Sequence, residues 1–370
     1  MSTASSRLVT ALFDGDRLRQ ARLFKGWRKV EVAAGLGLTP AAISQYEQGR
    51  TRPSAATLAA LSLHLGFPPE FFQRGRPAVR IDQGQAHFRR LRSSSKLDRD
   101  RLLVRLEFLA EILAKIEEHV RLPVVSVPSL NVEPDAGEMV AETAANEVRR
   151  DWALGGGPLD NLVRLLEGKG VIIVRPHVDT GDIDAFSTWA GGRPLVILAS
   201  DKEVAARSRF DVAHEFGHLV MHHDAEPGRQ PVERQAHRFA AAFLMPADVI
   251  SREFPNRMNW PAYLALKQRW KVTLQALLYR ARNLGALSPD AYQRAQIQLS
   301  ARWGRTQEPG DIGPPEQPVV LQRALDLLTS KLGIEVTGIA SGDQLPIEVL
   351  ASVLADVIAD TTSRPAVPVG

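Results

Sequence analysis

Cysteine is absent from the 370-residue sequence. Disulfide bonds are therefore excluded, and a tightly bound metal ion would need histidine, carboxylate or water ligands. Long apolar runs are also missing, since no stretch approaches the length of about 18 residues that a membrane span requires. The first residues, MSTASSRLVTALFDGDRLR, lack the apolar segment of a secretion signal. The sequence thus predicts a cytoplasmic protein with no membrane segment.

Charge is unevenly distributed along the chain. Residues 1–80 hold 12 Lys and Arg against 5 Asp and Glu, whereas residues 124–370 hold 25 against 30. A polyanionic partner is therefore expected at the N-terminal end. The composition, with 44% apolar and 24% charged residues, is that of a globular protein, and the length favours two or more domains.

The pattern along the chain predicts an α+β fold that is mostly α. Residues 1–75 form short helices with tight glycine turns, and residues 76–123 form a linker and a long connecting helix. Residues 124–309 form a second domain, in which VIIVR (171–175), DAFSTW (184–189) and RPLVIL (193–198) predict a small β-sheet. Residues 310–370 form a helical extension with a loose tail.

The segment at 28–48 has the spacing of a helix-turn-helix. Gly35 and Gly37 interrupt one helix, and Thr39-Pro40 caps the next, which would lie in the major groove of DNA. The residues expected to face base edges are Ala41, Ala42, Ser44 and Gln45. Those expected to approach phosphates are Arg28, Lys29, Arg50 and Arg52. The alternative is a helical bundle that binds another protein.

The strongest chemical signal is RFDVAHEFGHLVMHH at 209–223. His214 and His218 share one face of a helix and could supply two nitrogen ligands to one metal ion. Glu215 lies beside that face and could act on a water without being a ligand. A catalytic zinc site needs a third protein ligand. Glu233 is favoured, and His237 and His222 are the alternatives.

Two families resemble parts of this chain. Leu36-Gly37-Leu38, Ile43-Ser44, Tyr46-Glu47, Gly49 and Pro53 are similar to landmarks of the phage-repressor-type (XRE) helix-turn-helix family, which often has Gln where Lys29 stands. The H-E-x-x-H helix followed by Glu233, Ala236, Phe239, Ala240, Met245 and Pro246 resembles the ImmA/IrrE zinc metallopeptidases. This resemblance implies a zincin-like domain with His214, His218 and Glu233 as zinc ligands and Glu215 as the catalytic base.

The two resemblances together imply a DNA-binding transcriptional regulator with zinc-dependent endopeptidase activity. Its partners would be double-stranded DNA and a protein substrate, expected to be a helix-turn-helix repressor that is cleaved to relieve repression. The alternative is a DNA-binding regulator whose metal site is structural or senses a ligand without proteolysis. A homodimer is also expected, with residues 319–360 as its interface.

The small sheet is the expected place for the substrate. An exposed sheet edge can pair with an extended peptide, and Pro194 favours an edge position for its strand. Ser187 and Trp189 on the neighbouring strand are therefore predicted to line a substrate groove.

Overall fold

The chain is mostly helical with one small sheet, which confirms the α+β fold class. The computed structural model describes residues 12–73, 80–81, 87–88, 95–175, 185–198, 204–223, 228–304, 308–335, 338 and 345–354. The helices are α1 (Gly15–Phe24), α2 (Lys29–Leu36), α3 (Pro40–Glu47), α4 (Ala55–Leu65), a 3₁₀ turn (Pro69–Phe72), α5 (Lys96–Glu117), α6 (Glu138–Asp151), α7 (Leu162–Gly168), α8 (Ala205–Met221), α9 (Gln230–Leu244), α10 (Ala247–Glu253), α11 (Trp260–Trp270), α12 (Leu274–Asn283), α13 (Pro289–Trp303), α14 (Val320–Leu332) and α15 (Ile347–Val353). The strands are β1 (His87–Phe88), β2 (Ile172–Val174), β3 (Ala185–Ala190) and β4 (Arg193–Leu198).

Helices α1 to α4 form the N-terminal bundle, and local capping explains where they begin and end. Gly37 ends α2 in the left-handed conformation, at φ 64°. The Thr39 hydroxyl then accepts a hydrogen bond from the Ala42 amide, and Pro40 occupies the first turn of α3. The side chain of Ser54 caps α4 in the same way. The helix-turn-helix geometry predicted for residues 28–48 is therefore present.

The N-terminal bundle packs on the long helix α5 through apolar and charged contacts. One face of this helix is an apolar stripe of buried residues: Leu102, Leu106, Leu109, Leu113 and Ile116. Arg17 of α1 donates to Glu111 over 2.6 Å, and Arg19 pairs with Glu107 over 2.8 Å. Most of the linker expected before α5 lies outside the described residues.

The sheet has the strand order β1-β3-β4-β2. Strands β1, β3 and β4 pair antiparallel, and β2 pairs parallel with β4 over Leu195–Ile197. The expected edge position for the strand of Pro194 is therefore wrong, because β4 lies between β3 and β2. Proline is tolerated there because Pro194 precedes the three residues that pair with β2.

The sheet separates two apolar cores. Alternate residues of each strand point to opposite faces, so both cores take side chains from the same strands. The first core contains Ile172, Val174, Phe186, Leu195 and Ile197, together with the N-terminal bundle and α5. The second contains Ile173, Ala185, Val196 and Leu198, together with helices α6 to α13. Burial on both faces explains why β2 and the Leu195–Leu198 part of β4 are continuous apolar runs.

The C-terminal extension completes the first core. Residues of α14 and α15 that pack there are Leu321, Leu325, Leu328, Val349 and Leu350. Glu167 of α7 accepts hydrogen bonds from the Val319 and Val320 amides at the start of α14. Burial raises the pKa of Glu167, and these two backbone hydrogen bonds oppose the increase. Among the described residues, no helix has the length and apolar character needed to cross a bilayer.

The ion pair between Arg17 and Glu111 yields the first prediction. Arg17→Ala should destabilise the chain by about 3–5 kcal/mol, because it removes a guanidinium that pairs with the buried Glu111 carboxylate. Arg17→Met combined with Glu111→Leu should recover much of this loss. Urea unfolding measures the free energy of unfolding of both variants. Arg150→Ala, at an exposed ion pair, is the control. Equal midpoints for Arg17→Ala and the unsubstituted chain would contradict the prediction.

Candidate metal centre

Helix α8 carries the H-E-x-x-H segment through the interior of the second core. Every residue of this helix except Arg207 is buried. One side packs on β3 and β4, and the other faces α9. His214 and His218 lie one turn apart, so their rings point to the same side, and each is only 1% exposed.

Helix α9 approaches α8 closely because Gly217 has no side chain. A Cβ atom at Gly217 would lie 2.9 Å from Cδ1 of Phe239, a distance that real Cβ contacts do not show. Any larger residue at 217 would therefore push the two helices apart. The approach brings Glu233, in the first turn of α9, against the two histidines.

A buried charge network holds α9 from its other side. Arg238 of α9 pairs with Glu142 of α6 over 2.5 Å, and Arg280 of α12 pairs with the same carboxylate over 2.7 Å. Arg280 also donates to the main-chain oxygen of Met245. Burial acts to raise the pKa of Glu142, but the two arginines outweigh it and hold that pKa below its usual value.

Three ligand atoms converge between α8 and α9. Nε2 of His214 lies 3.1 Å from Nε2 of His218, and the Glu233 carboxylate oxygens lie 3.3 Å from the first and 3.7 Å from the second. Ligand atoms on a tetrahedral ion at about 2.0–2.1 Å stand about 3.3 Å apart. The donor set and its spacing therefore fit a small tetrahedral metal ion.

Glu215 follows His214 in α8, is buried and is held by the sheet. The Ser187 hydroxyl lies 2.8 Å from Oε2 of Glu215 and 3.1 Å from its main-chain oxygen, so it can donate to either. Trp189, two residues along β3 on the same face, donates from Nε1 to the main-chain oxygen of Leu219. Both residues predicted for a substrate groove thus lie under α8, and Ser187 is fully buried.

The two alternative ligands are placed differently from Glu233. His222 lies behind His218, with the Nδ1 atoms of the two rings 3.0 Å apart. His237 lies one turn beyond Glu233 and packs between Phe210 and Tyr279, at ring-centre distances of 4.8 and 4.7 Å. Burial raises the pKa of Tyr279, against a hydrogen bond to Asn283.

The surface expected to bind DNA is open. Arg28, Ala41, Gln45, Arg50 and Arg52 are exposed, and Lys29, Ala42 and Ser44 are half-buried. Lys29 donates to the Ser44 hydroxyl over 3.0 Å and pairs with Glu47 over 3.3 Å. Its ammonium is therefore held between α2 and α3.

Comparison with known proteins identifies two segments. Residues 18–72 match the family model described as Helix-turn-helix, and residues 166–282 match Peptidase M78, the IrrE N-terminal-like domain. A 61-residue stretch is 36% identical to the SPbeta prophage-derived uncharacterized HTH-type transcriptional regulator YonR of Bacillus subtilis (strain 168), covering 16% of this chain and 56% of that protein.

These matches confirm the two resemblances stated from the sequence. The chain joins a helix-turn-helix module, of the kind found in transcriptional regulators, to a metallopeptidase-like domain. The domain boundaries at 75, 123 and 309 stay predictions, because the second match begins only at residue 166.

The convergence of three ligand atoms yields the second prediction. His214→Ala, His218→Ala and Glu233→Ala should each lower the bound divalent metal, because each removes one ligand. Elemental analysis after dialysis measures the metal content, and His237→Ala serves as the matched control that keeps it. If His237→Ala lost the metal and Glu233→Ala kept it, the third ligand would instead be His237.

Proposed function

We propose that this protein is a DNA-binding transcriptional regulator that cleaves a repressor protein with a zinc-dependent endopeptidase site. The observation that carries the proposal is the convergence of His214, His218 and Glu233 on one point. Glu215, which follows His214 in the same helix, adds a buried carboxylate. A site that only stabilises the fold needs no such carboxylate. A hydrolytic site needs one to accept a proton from water.

Zinc is the proposed metal because the donor set is two imidazoles and a carboxylate. This set, with three protein ligands, is that of catalytic zinc sites, which leave one position for water or substrate. When bound, zinc supplies a Lewis acid that activates water and polarises a peptide carbonyl.

The protein's own residues provide the proton transfer. Glu215 is the proposed general base, because it follows His214 in α8 and is not needed as a ligand. The Ser187 hydroxyl lies closer to Oε2 of Glu215 than to its main-chain oxygen, and by donating to Oε2 it would orient the carboxylate. A base held in one rotamer needs little rearrangement before it accepts a proton. Ser187 is therefore a positioning residue. The substrate groove predicted beside Trp189 gains no support, because Trp189 lies under α8.

The DNA module supports the proposed choice of substrate. The matched Bacillus subtilis protein is a prophage-derived helix-turn-helix regulator, and a protease that carries the same kind of module could act on a protein at the same DNA. One module reads few bases, so a homodimer is proposed. Three apolar side chains of α14 and α15 are exposed and available for such contacts: Leu327, Leu332 and Ile347.

A second candidate function is regulation without proteolysis. It is favoured by burial, because His214, Glu215 and His218 are each 1% exposed. A metal site so enclosed could stabilise the domain or bind a small ligand while the helix-turn-helix binds DNA.

Glu215→Gln separates the two functions and gives the third prediction. The amide keeps the shape of the side chain but cannot accept a proton, so peptide cleavage should fall by about 10²–10⁴-fold. Zinc content and DNA binding should stay unchanged, and Glu147→Gln on the surface is the control. Cleavage is measured on helix-turn-helix repressors encoded near this gene. A Glu215→Gln protein that still switches the target genes would establish regulation without proteolysis.

The fourth prediction concerns the DNA contacts. Gln45→Ala should relax base preference, because its amide is expected to pair with a base edge. Arg50→Ala should weaken binding to all duplexes and reduce the slope of log affinity against log salt by about 1. Fluorescence anisotropy with several duplexes at several salt concentrations measures both, with Arg294→Ala on α13 as the control. Absence of salt-sensitive binding by the full chain would make the module a protein-docking domain.

A further inference from the structure

His222 is a fully buried histidine next to the proposed metal ligands that does not face their cluster. Its Nδ1 lies 3.0 Å from Nδ1 of His218, on the side of the His218 ring away from Glu233. Its Nε2 lies 2.9 Å from Oε1 of Gln235 in α9. His222 thus connects the back of one ligand to a buried amide on the neighbouring helix.

The orientation of the Gln235 amide is set by the loop before α6. Its Nε2 lies 2.9 Å from the main-chain oxygen of Glu133, 3.2 Å from that of Pro134 and 3.4 Å from that of Gly137. Carbonyl oxygens only accept hydrogen bonds, so the NH₂ group must point towards them. The amide oxygen must then face His222.

This orientation determines where the ring protons lie. Oε1 of Gln235 can only accept, so Nε2 of His222 carries a proton and donates it. Nδ1 of a neutral His222 is then an acceptor, and Nδ1 of His218 donates to it. The lone pair of His218 is consequently on Nε2, the atom that faces His214 and Glu233. With the opposite arrangement, the proton of His218 would be on Nε2 and would block a metal ion.

We propose that Gln235 and His222 are positioning residues that keep His218 in its metal-binding tautomer. The inference rests on the proposed metal site and deepens it, because it assigns roles to two residues that are not ligands. Partners behind a ligating histidine fix its tautomer and the orientation of its ring. Gln235 could instead serve only to tie α9 to the 133–137 loop, and the experiment separates these two roles.

The test compares two substitutions of His222 in the full-length protein. His222→Phe keeps a ring in the buried space but removes the acceptor behind His218. His222→Asn places its Oδ1 close to where Nδ1 stood, because both atoms are bonded to Cγ, and so restores the acceptor. His223→Phe is the matched control, since His223 is the next residue and its ring packs against Trp189 instead.

Zinc affinity is measured by competition with a chromophoric chelator, alongside thermal unfolding. His222→Phe should bind zinc about 10–100-fold more weakly, the usual effect of removing such a partner. Gln235→Leu should weaken binding in the same direction. His222→Asn and His223→Phe should stay within a few-fold of the unsubstituted protein. If the role of His222 were purely structural, both His222 variants would instead unfold at a lower temperature. Their zinc affinity would then not depend on whether the acceptor behind His218 is present.

Histidine ring spectra of the metal-free protein provide an independent readout. In ¹H–¹⁵N spectra of histidine-labelled protein, His218 should carry its proton on Nδ1, and His222→Phe should redistribute it between the two nitrogens. If the unsubstituted protein takes up no zinc, the proposed function fails and these spectra decide the tautomer assignment alone. Wild-type zinc affinity in His222→Phe, or an equal loss in His222→Asn, would overturn the inference.

Discussion

The contact between Gly217 and Phe239 is the constraint on which the metal centre depends. Two ligands come from one turn of α8, but the third comes from α9, and only a glycine at this point lets the helices come close enough. Phe239 and Phe243 stack and pack against Phe216, so the same contact is part of the second core. The site is therefore only as well positioned as the packing between the two helices. The buried charge network around Glu142 contributes by holding α9 from its other side.

The sheet shows what local patterns can and cannot predict. The strands and most helices were predictable because their signals are local, such as the Thr39-Pro40 cap and the apolar stripe of α5. The order of the strands was not predictable in this way, and the expected edge position for the strand of Pro194 was wrong. A proline shows only that one backbone N–H is missing from the hydrogen bonds of a strand. Strand β4 pairs with β2 over three residues that all follow Pro194. Strand order depends on which helices cover each face, and that information is spread over the whole chain.

The candidate site likewise contains residues that local sequence patterns predict and residues that they do not. The spacing of His214, Glu215 and His218 within one helix was enough to predict them as candidate site residues. Predicting Glu233 needed only the further expectation that the next helix packs against the first. The contact of Ser187 with Glu215 spans 28 residues, and that of Gln235 with the Glu133 oxygen spans 102. No periodicity links such positions, because they meet through tertiary packing. The tautomer assignment in particular needs the direction of three backbone carbonyls, which a sequence does not display.

The two-sided burial of the sheet has a consequence for biosynthesis. The core beneath the N-terminal bundle includes Leu325 and Leu350, more than 200 residues after the end of α5. A ribosome therefore exposes the bundle and α5 long before their last packing partners leave the exit tunnel. Contacts of such high sequence separation are slow to form, and the apolar surface waiting for them can associate with other chains. The helix-turn-helix precedes α14 and α15 in the chain, so its core is complete only after they have been synthesised. A chain that ended before them would carry a helix-turn-helix without the support of this part of the core.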